Sequence, residues 1–248
     1  MLAQALNSAT RTVEKGLLAH SMHAYFLRPG DPKKKIIYEV DPIRDGKSFT
    51  TRNVIARQGG IAIFSTSISF HIEEPGLSHQ FEALQVPPPE ELESDFDRWS
   101  RLAKDNPDTI DPPLLQPIER KPVRPRDYLN PQPQEPQQQI WFRALGDLGD
   151  DLSRHQTILA FLSDFGLLGT ALLPHPYSGM NADLQAASLD HALWFHQPFK
   201  ADEYLLYCLD SPIAAGARGF SRGSFYTRDG ILVASTAQES LQRIRTPN

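Results

Sequence analysis

A chain of 248 residues, 40% hydrophobic and 22% charged with a formal net charge of −5, has room for one large or two ordinary domains. Its acidic balance excludes the electrostatic footprint of a nucleic-acid binder, so a small molecule or a protein is the expected partner. No apolar run is long enough to span a bilayer and the first residues lack a basic, apolar leader, so a cytoplasmic protein without a membrane span is expected.

Leu2, Leu6, Ala9, Val13 and Leu17 recur at helical spacing and predict one amphipathic helix over residues 2–18. Strands follow at 20–27, 35–40, 49–57 and 61–72, separated by Pro-Gly at 29–30, Asp-Gly at 45–46 and Gly-Gly at 59–60. A helix followed by an antiparallel meander is the first unit, residues 1–85. Residues 86–136 hold twelve of the 21 prolines among acidic and glutamine-rich patches, and read as an inter-domain linker with one short helical turn at 96–103. The second unit, residues 137–248, opens with a strand at 139–145 and an almost wholly apolar helix at 152–172. Strands at 186–196, 204–210, 217–227 and 231–243 complete it.

The two units are copies. With a shift of 169, Phe26, Pro29, Tyr38 and Asp41 fall on Phe195, Pro198, Tyr207 and Asp210. With a shift of 170, Gly46, Arg52, Gly60, Ser65 and Thr66 fall on Gly216, Arg222, Gly230, Ser235 and Thr236. A helix with almost no polar face must be wrapped by protein on nearly every side. A curved antiparallel sheet around a central helix meets that demand, and the repeat supplies it twice: an α+β double hotdog.

Duplication lets one copy keep the chemistry, and mismatches between the copies show where. Gln238 stands where the first unit has Ile68, and a buried amide needs partners for its donors and acceptor. Ser188 stands where the first unit has Ala19, although a hydroxyl at a strand start is as readily solvated or backbone-bonded. Asp164 falls inside the apolar helix, where burial would be costly and would raise its pKa toward that of a general base. An Asp bonded to local backbone or facing a wet helix end is the alternative.

Other motifs carry less. Gly219-Phe220-Ser221-Arg222-Gly223 matches G-x-S-x-G, but a nucleophile elbow needs a strand-to-helix turn, and the repeat puts Ser221 inside a strand. The pairs His20/His23 and His191/His196 lack further ligands at metal-site spacing, so packing or exposure is expected of them. Lys33-Lys34-Lys35 reads as a solvated turn, with phosphate contact as the sharper option. Cys208, the single cysteine, reads as a small strand residue.

The runs DDLSRHQTILAFLSD, SLDHALWFHQPF and ARGFSRGSFYTRDGILVASTAQESLQR, with HSMHAYFLRPGDPKKKIIYEVDPIRDGKSF in the first unit, resemble the type II acyl-CoA thioesterases, the double-hotdog enzymes of TesB type. The resemblance implies hydrolysis of acyl-CoA to fatty acid and CoA, with no metal or redox cofactor, by an Asp, a Ser or Thr and a Gln that hold the attacking water. Carried over by motif, these are Asp164, Ser188 and Gln238. A homo-oligomer is expected. Members of the family have an opening strand before the first helix that is absent ahead of Met1, so an exposed edge is expected there. The ending Thr246-Pro247-Asn248 does not match the peroxisomal signal of eukaryotic relatives. Two rivals remain: a hotdog enoyl-CoA hydratase using Asp150 and His155, and a catalytically inactive acyl-CoA binder.

Overall fold

The computed structural model describes residues 1–245; Thr246, Pro247 and Asn248, on which the targeting expectation rests, lie outside the described residues. The first unit consists of α1 (Leu2–Thr10), β1 (Leu18–Phe26), β2 (Ile37–Asp45), β3 (Phe49–Gln58) and β4 (Ile61–His71). Alternation of buried and exposed residues in β3 turns Thr50, Arg52, Val54, Ala56 and Gln58 inward, onto the face that receives α1. The predicted helix of 2–18 therefore stops early. Buried Arg52 reaches across to its end, with Nε donating to Thr12 Oγ1 at 2.9 Å and an Nη to Thr12 O at 3.1 Å, and the chain turns away into β1.

The proline-rich stretch is more than a linker. It carries α2 (Asp95–Asp105), started by Ser94 accepting from Asp97 N at 3.1 Å, and β5 (Ile118–Pro122), which pairs with β6 (Gln137–Ala144) and edges the sheet. Beyond β6 lie α3 (Leu152–Leu162), α4 (Leu167–Leu172), β7 (Leu184–Ser188), β8 (Asp190–Phe195), β9 (Leu205–Ala215), β10 (Arg218–Tyr226) and β11 (Leu232–Ile244).

All eleven strands form one sheet in the order β2-β3-β4-β1-β8-β11-β10-β9-β6-β5, with β7 also on β11. The order around the middle repeats in mirror sense, β3-β4-β1 against β8-β11-β10, and the two units join by antiparallel pairing of β1 with β8, Ser21 opposite Trp194 through Tyr25 opposite Asp190. In the second unit β6 covers β9; β2, the counterpart of β9, has no such neighbour among the described residues and stands at the sheet's edge. The sheet curves round α1 and α3, which pack side by side, and one core runs through both units from Leu6, Phe64 and Phe70 to Leu159, Leu162 and Phe225.

Two predicted elements are broken in the structure, both beside the site. The helix of 152–172 is interrupted between Leu162 and Leu167, because Gly166 adopts φ +93° and a Cβ there would meet Leu209 Cδ1 at 3.2 Å. The strand of 186–196 is kinked at Leu189. Among the described residues no helix is long and apolar enough to cross a membrane.

Candidate active site

The break in the helix fixes where Asp164 stands. The carbonyl of Ser163, the residue that caps α3, accepts from the phenol of Tyr207 at 2.9 Å. Tyr207, fully buried and stacked on Phe225 at 3.7 Å, accepts in turn from Thr236 Oγ1 at 2.7 Å, since its own proton is committed. Burial holds that phenol protonated, its pKa far above the ordinary value. On the other side of the break Gln138 donates to Gly166 O at 3.1 Å and to Thr170 Oγ1 at 2.7 Å. Asp164 is thus carried on a pinned turn. It is exposed, contrary to the burial expected of it: the break directs it out of the apolar interface, into an opening lined by Met1, Leu2, Phe26, Ala160 and Phe161.

The kink at Leu189 aims Ser188. Leu189 N donates to Glu239 O at 2.9 Å, and the Asp190 carboxylate accepts from Glu239 N at 2.6 Å, so a side chain replaces a ladder bond and the strand changes direction. Ser188 then faces both Asp164 and Gln238. Its hydroxyl donates to Asp164 Oδ1 at 3.5 Å and accepts from Gln238 Nε2 at 2.9 Å. The contact to Asp164 is loose beside the ~2.7 Å of a strong O–H···O bond, a length that does not rule out a candidate pair in a ligand-free site. The structure therefore brings Asp164, Ser188 and Gln238 together.

It also adds two residues: His191, which the sequence reading set aside, and Ser163, which it did not single out. Gln238 is 1% exposed, and its amide oxygen lies 2.7 Å from Nδ1 of His191, itself 0% exposed. An amide oxygen only accepts, so Nδ1 carries the proton. Burial pulls His191 below its ordinary pKa, with the Gln238 bond and then the Asp164 and Asp190 carboxylates opposing, so the ring is neutral and Nε2 is an acceptor. Its donor is buried Ser163 Oγ, 2.9 Å away. Every hydrogen bond then runs one way: Ser163 to His191, His191 to Gln238, Gln238 to Ser188, Ser188 to Asp164. A neutral, one-directional chain fixes which end of the Gln238 amide meets Ser188.

The signal that could have found His191 lies in the repeat. On the shift of 169 its counterpart is Met22, fully buried and set opposite Ile68 in the pairing of β1 with β4. The first unit has an apolar Met22–Ile68 pair where the second has the polar His191–Gln238 pair. Ile68→Gln is therefore expected to cost about 1–3 kcal/mol, because the new amide enters a site with no partner, while kcat stays near that of the parent. Chemical denaturation and steady-state kinetics on the same preparation check this.

The His191 titration has a definite sign. Unfolded histidine takes up its proton near pH 6.5 and the buried ring resists it, so the unfolded state binds more protons as pH falls and stability declines. Stability is expected to be full above about pH 6.5 and to drop as pH falls through that value. His20 and His196, also lowered chiefly by burial, add drops of the same sign. Denaturation between pH 7.5 and 5, on the parent and on His191→Met, would show a shallower slope in the variant.

Three other motifs find roles away from the site. Ser221 is buried in β10 and donates to Leu167 O at 2.8 Å; a Cβ at Gly219 would come within 2.6 Å of Ala171 Cβ, and one at Gly223 within 2.3 Å of the Tyr207 ring, so these glycines serve close packing. Asp150 is bound to Lys200 at 2.9 Å, while buried His155 accepts from Ala201 N at 3.0 Å and faces Gly149 O at 2.9 Å, so the two do not form a hydratase pair. Cys208 sits in β9, its thiol pushed up to about 11 by burial, too high for a nucleophile.

Comparison with known proteins covers both units. A family described as Acyl-CoA thioesterase matches residues 114–241, and one described as Acyl-CoA thioesterase N-terminal domain matches residues 1–71. Acyl-coenzyme A thioesterase 8 of Homo sapiens is 41% identical over 99% of this chain and 79% of its own length. The crystal structure of an acyl-CoA thioesterase II, TesB2, of Mycobacterium marinum matches with a TM-score of 0.81 at 41% identity, over 98% of this chain and 88% of that one. A protein with a hot dog fold from Alicyclobacillus acidocaldarius, 17% identical, matches in fold with a TM-score of 0.76 over 99% of this chain and 86% of its own.

Proposed function

We infer the chemistry from one premise: this chain belongs to the acyl-CoA thioesterase family, and it is a thioester hydrolase acting on acyl-CoA. The reaction we propose is direct attack of water on the thioester carbonyl, with Asp164 as general base and Ser188 and Gln238 as its orienting partners. The observation that carries this is the unbroken contact from Gln238 through Ser188 to Asp164.

Each group has one task. Ser188 holds one carboxylate oxygen of Asp164 and leaves the other to accept a proton from water. Gln238 spends one amide hydrogen on Ser188 and has a second for the water or the carbonyl oxygen, where a fixed donor opposes developing charge at no cost of reorganisation. Water adds to the carbonyl carbon as Asp164 takes its proton. The tetrahedral adduct collapses by breaking the carbon–sulfur bond, and the proton on Asp164 goes to the departing sulfur. A thiol is a good leaving group, with a pKa near 8.5, and no acyl group rests on the protein.

Release of free thiol from acyl-CoA by pure protein tests the reading, since a hydratase would alter only enoyl absorbance and an inactive binder would do neither. Mass spectrometry of protein quenched during turnover tests the route: an adduct of acyl mass on the chain would overturn direct attack. We also propose a homo-oligomer, supported by apolar side chains left exposed on the first unit, Tyr25, Ile37, Ile43, Phe49 and Ile61. Light scattering giving the monomer mass would refute that.

A further inference from the structure

Beside the helix break lies a second hollow, of about 420 Å³, that the catalytic trio does not enter. One wall is Phe165 and Gly166, the two residues after Asp164; the opposite wall comes from the proline-rich segment and β6. Four arginines line it, Arg98, Arg120, Arg124 and Arg126, against two carboxylates, Asp95 and Glu135. A chain that is acidic overall has gathered a positive cavity.

The positive charge is not balanced from within. Asp95 serves Arg98 at 3.0 Å and Arg120 at 3.3 Å together. Among the described residues no carboxylate lies in ion-pair reach of Arg124 or Arg126. Arg126 is 7% and Arg98 8% exposed, and the Nε of each has no hydrogen-bond partner among the described residues. Burial draws Arg126 below its ordinary pKa, yet a guanidinium stays charged in proteins, so an anion beside it would relieve much of the cost of burying it.

The arginines are also held in place. Arg98 donates to Arg126 O at 2.8 Å, Arg126 to His175 O at 2.8 Å, and the Arg120 guanidinium lies 5.0 Å over the ring of Phe165. Fixed guanidinium forks with spare N–H groups suit the paired oxygens of a phosphate or a carboxylate, and of the two it is phosphate that CoA carries.

We propose that this hollow receives the phosphate groups of CoA, at the end of the molecule remote from the thioester, with Arg120, Arg124 and Arg126 as their contacts. The proposal rests on the thioesterase reading, which supplies a phosphate-bearing substrate whose reactive end must lie at Asp164, next to the hollow's wall. The charged end anchors there and the pantetheine arm spans to the break. Binding energy gathered far from the carbonyl then positions the thioester.

The test compares acyl-CoA with acyl-pantetheine, which lacks the phosphates. For Arg124→Gln, at an exposed position, and Arg120→Gln, at a half-buried one, the ratio of kcat/KM for acyl-CoA to that for acyl-pantetheine should fall about tenfold or more, as expected for loss of a charge-assisted hydrogen bond. The loss should fall mainly on KM. An unchanged ratio, whatever happens to either rate alone, overturns the assignment. Calorimetry with adenosine 3′,5′-bisphosphate reads the hollow without turnover: parent protein should bind it, more weakly at higher salt, and the double variant at least tenfold more weakly. Equal affinity in parent and variant, or no binding to the parent, would sink the proposal. If the parent releases no thiol from either substrate while the bisphosphate still binds through the arginines, the hydrolysis reading fails and the anion site stands.

Discussion

Asp164→Asn is expected to lower kcat for acyl-CoA by about 10²–10⁴-fold, the usual contribution of a positioned general base, with the unfolding midpoint unchanged. The amide nearly matches the carboxylate in shape but cannot take a proton from water. Stability should hold because the residue is exposed on the turn between α3 and α4 and its one contact to Ser188 is long; surface changes of this kind stay within about 0.5 kcal/mol. Single-turnover hydrolysis with a thermal melt on the same sample separates chemistry from folding. Turnover near that of the parent would remove Asp164 from the mechanism.

The second large effect is expected two bonds from the reacting atoms. His191→Met copies the residue that the first unit has at this position. It strands the Gln238 oxygen in a fully buried site at a cost of about 1–3 kcal/mol, and it frees the amide to turn away from Ser188, lowering kcat by about 10²-fold through misplacement. Adding Gln238→Ile recreates the apolar Met22–Ile68 pair of the first unit. The double variant should regain most of the lost stability and none of the lost rate. That opposite response of folding and turnover is what a merely structural histidine would not give. If the double variant melts lower than either single one, or if His191→Met alone keeps the parent rate, then His191 does not hold Gln238 for catalysis.

Gln238 and Ser188 were legible because the repeat set each beside an apolar counterpart, a comparison that needs no coordinates. His191 was open to the same comparison with Met22, and was missed by being grouped with His196, which is exposed and whose ring bonds Ser235 at 2.9 Å. Asp164 was singled out as a candidate on mistaken grounds: the helix was read as continuous, so its carboxylate looked buried. A single glycine in a helical pattern is usually tolerated, and what makes Gly166 a break is the approach of Leu209 and Ile140 from strands far off in sequence. The strand hidden in the proline-rich segment was missed for a related reason. Pro122 ends β5 at the edge of the sheet, a place where proline is compatible with a strand, and only the pairing with β6 shows it.

The joining of β1 to β8 has a consequence for the stretch after β4, which has no regular structure from residue 72 to 88. The halves of the molecule do not rely on that tether: backbone bonds run between them along five residue pairs, and Gln156 on α3 donates to Ala19 O at 2.8 Å; Gln80, inside the tether, is fastened to the second half at the β10–β11 turn, through Gly230 O at 2.7 Å and Leu232 N at 3.0 Å. A protease cut on the amino side of Gln80 would leave a nicked molecule that travels, melts and turns over as one. Two fragments produced separately would find each other through complementary strand edges, each completing the fold of the other.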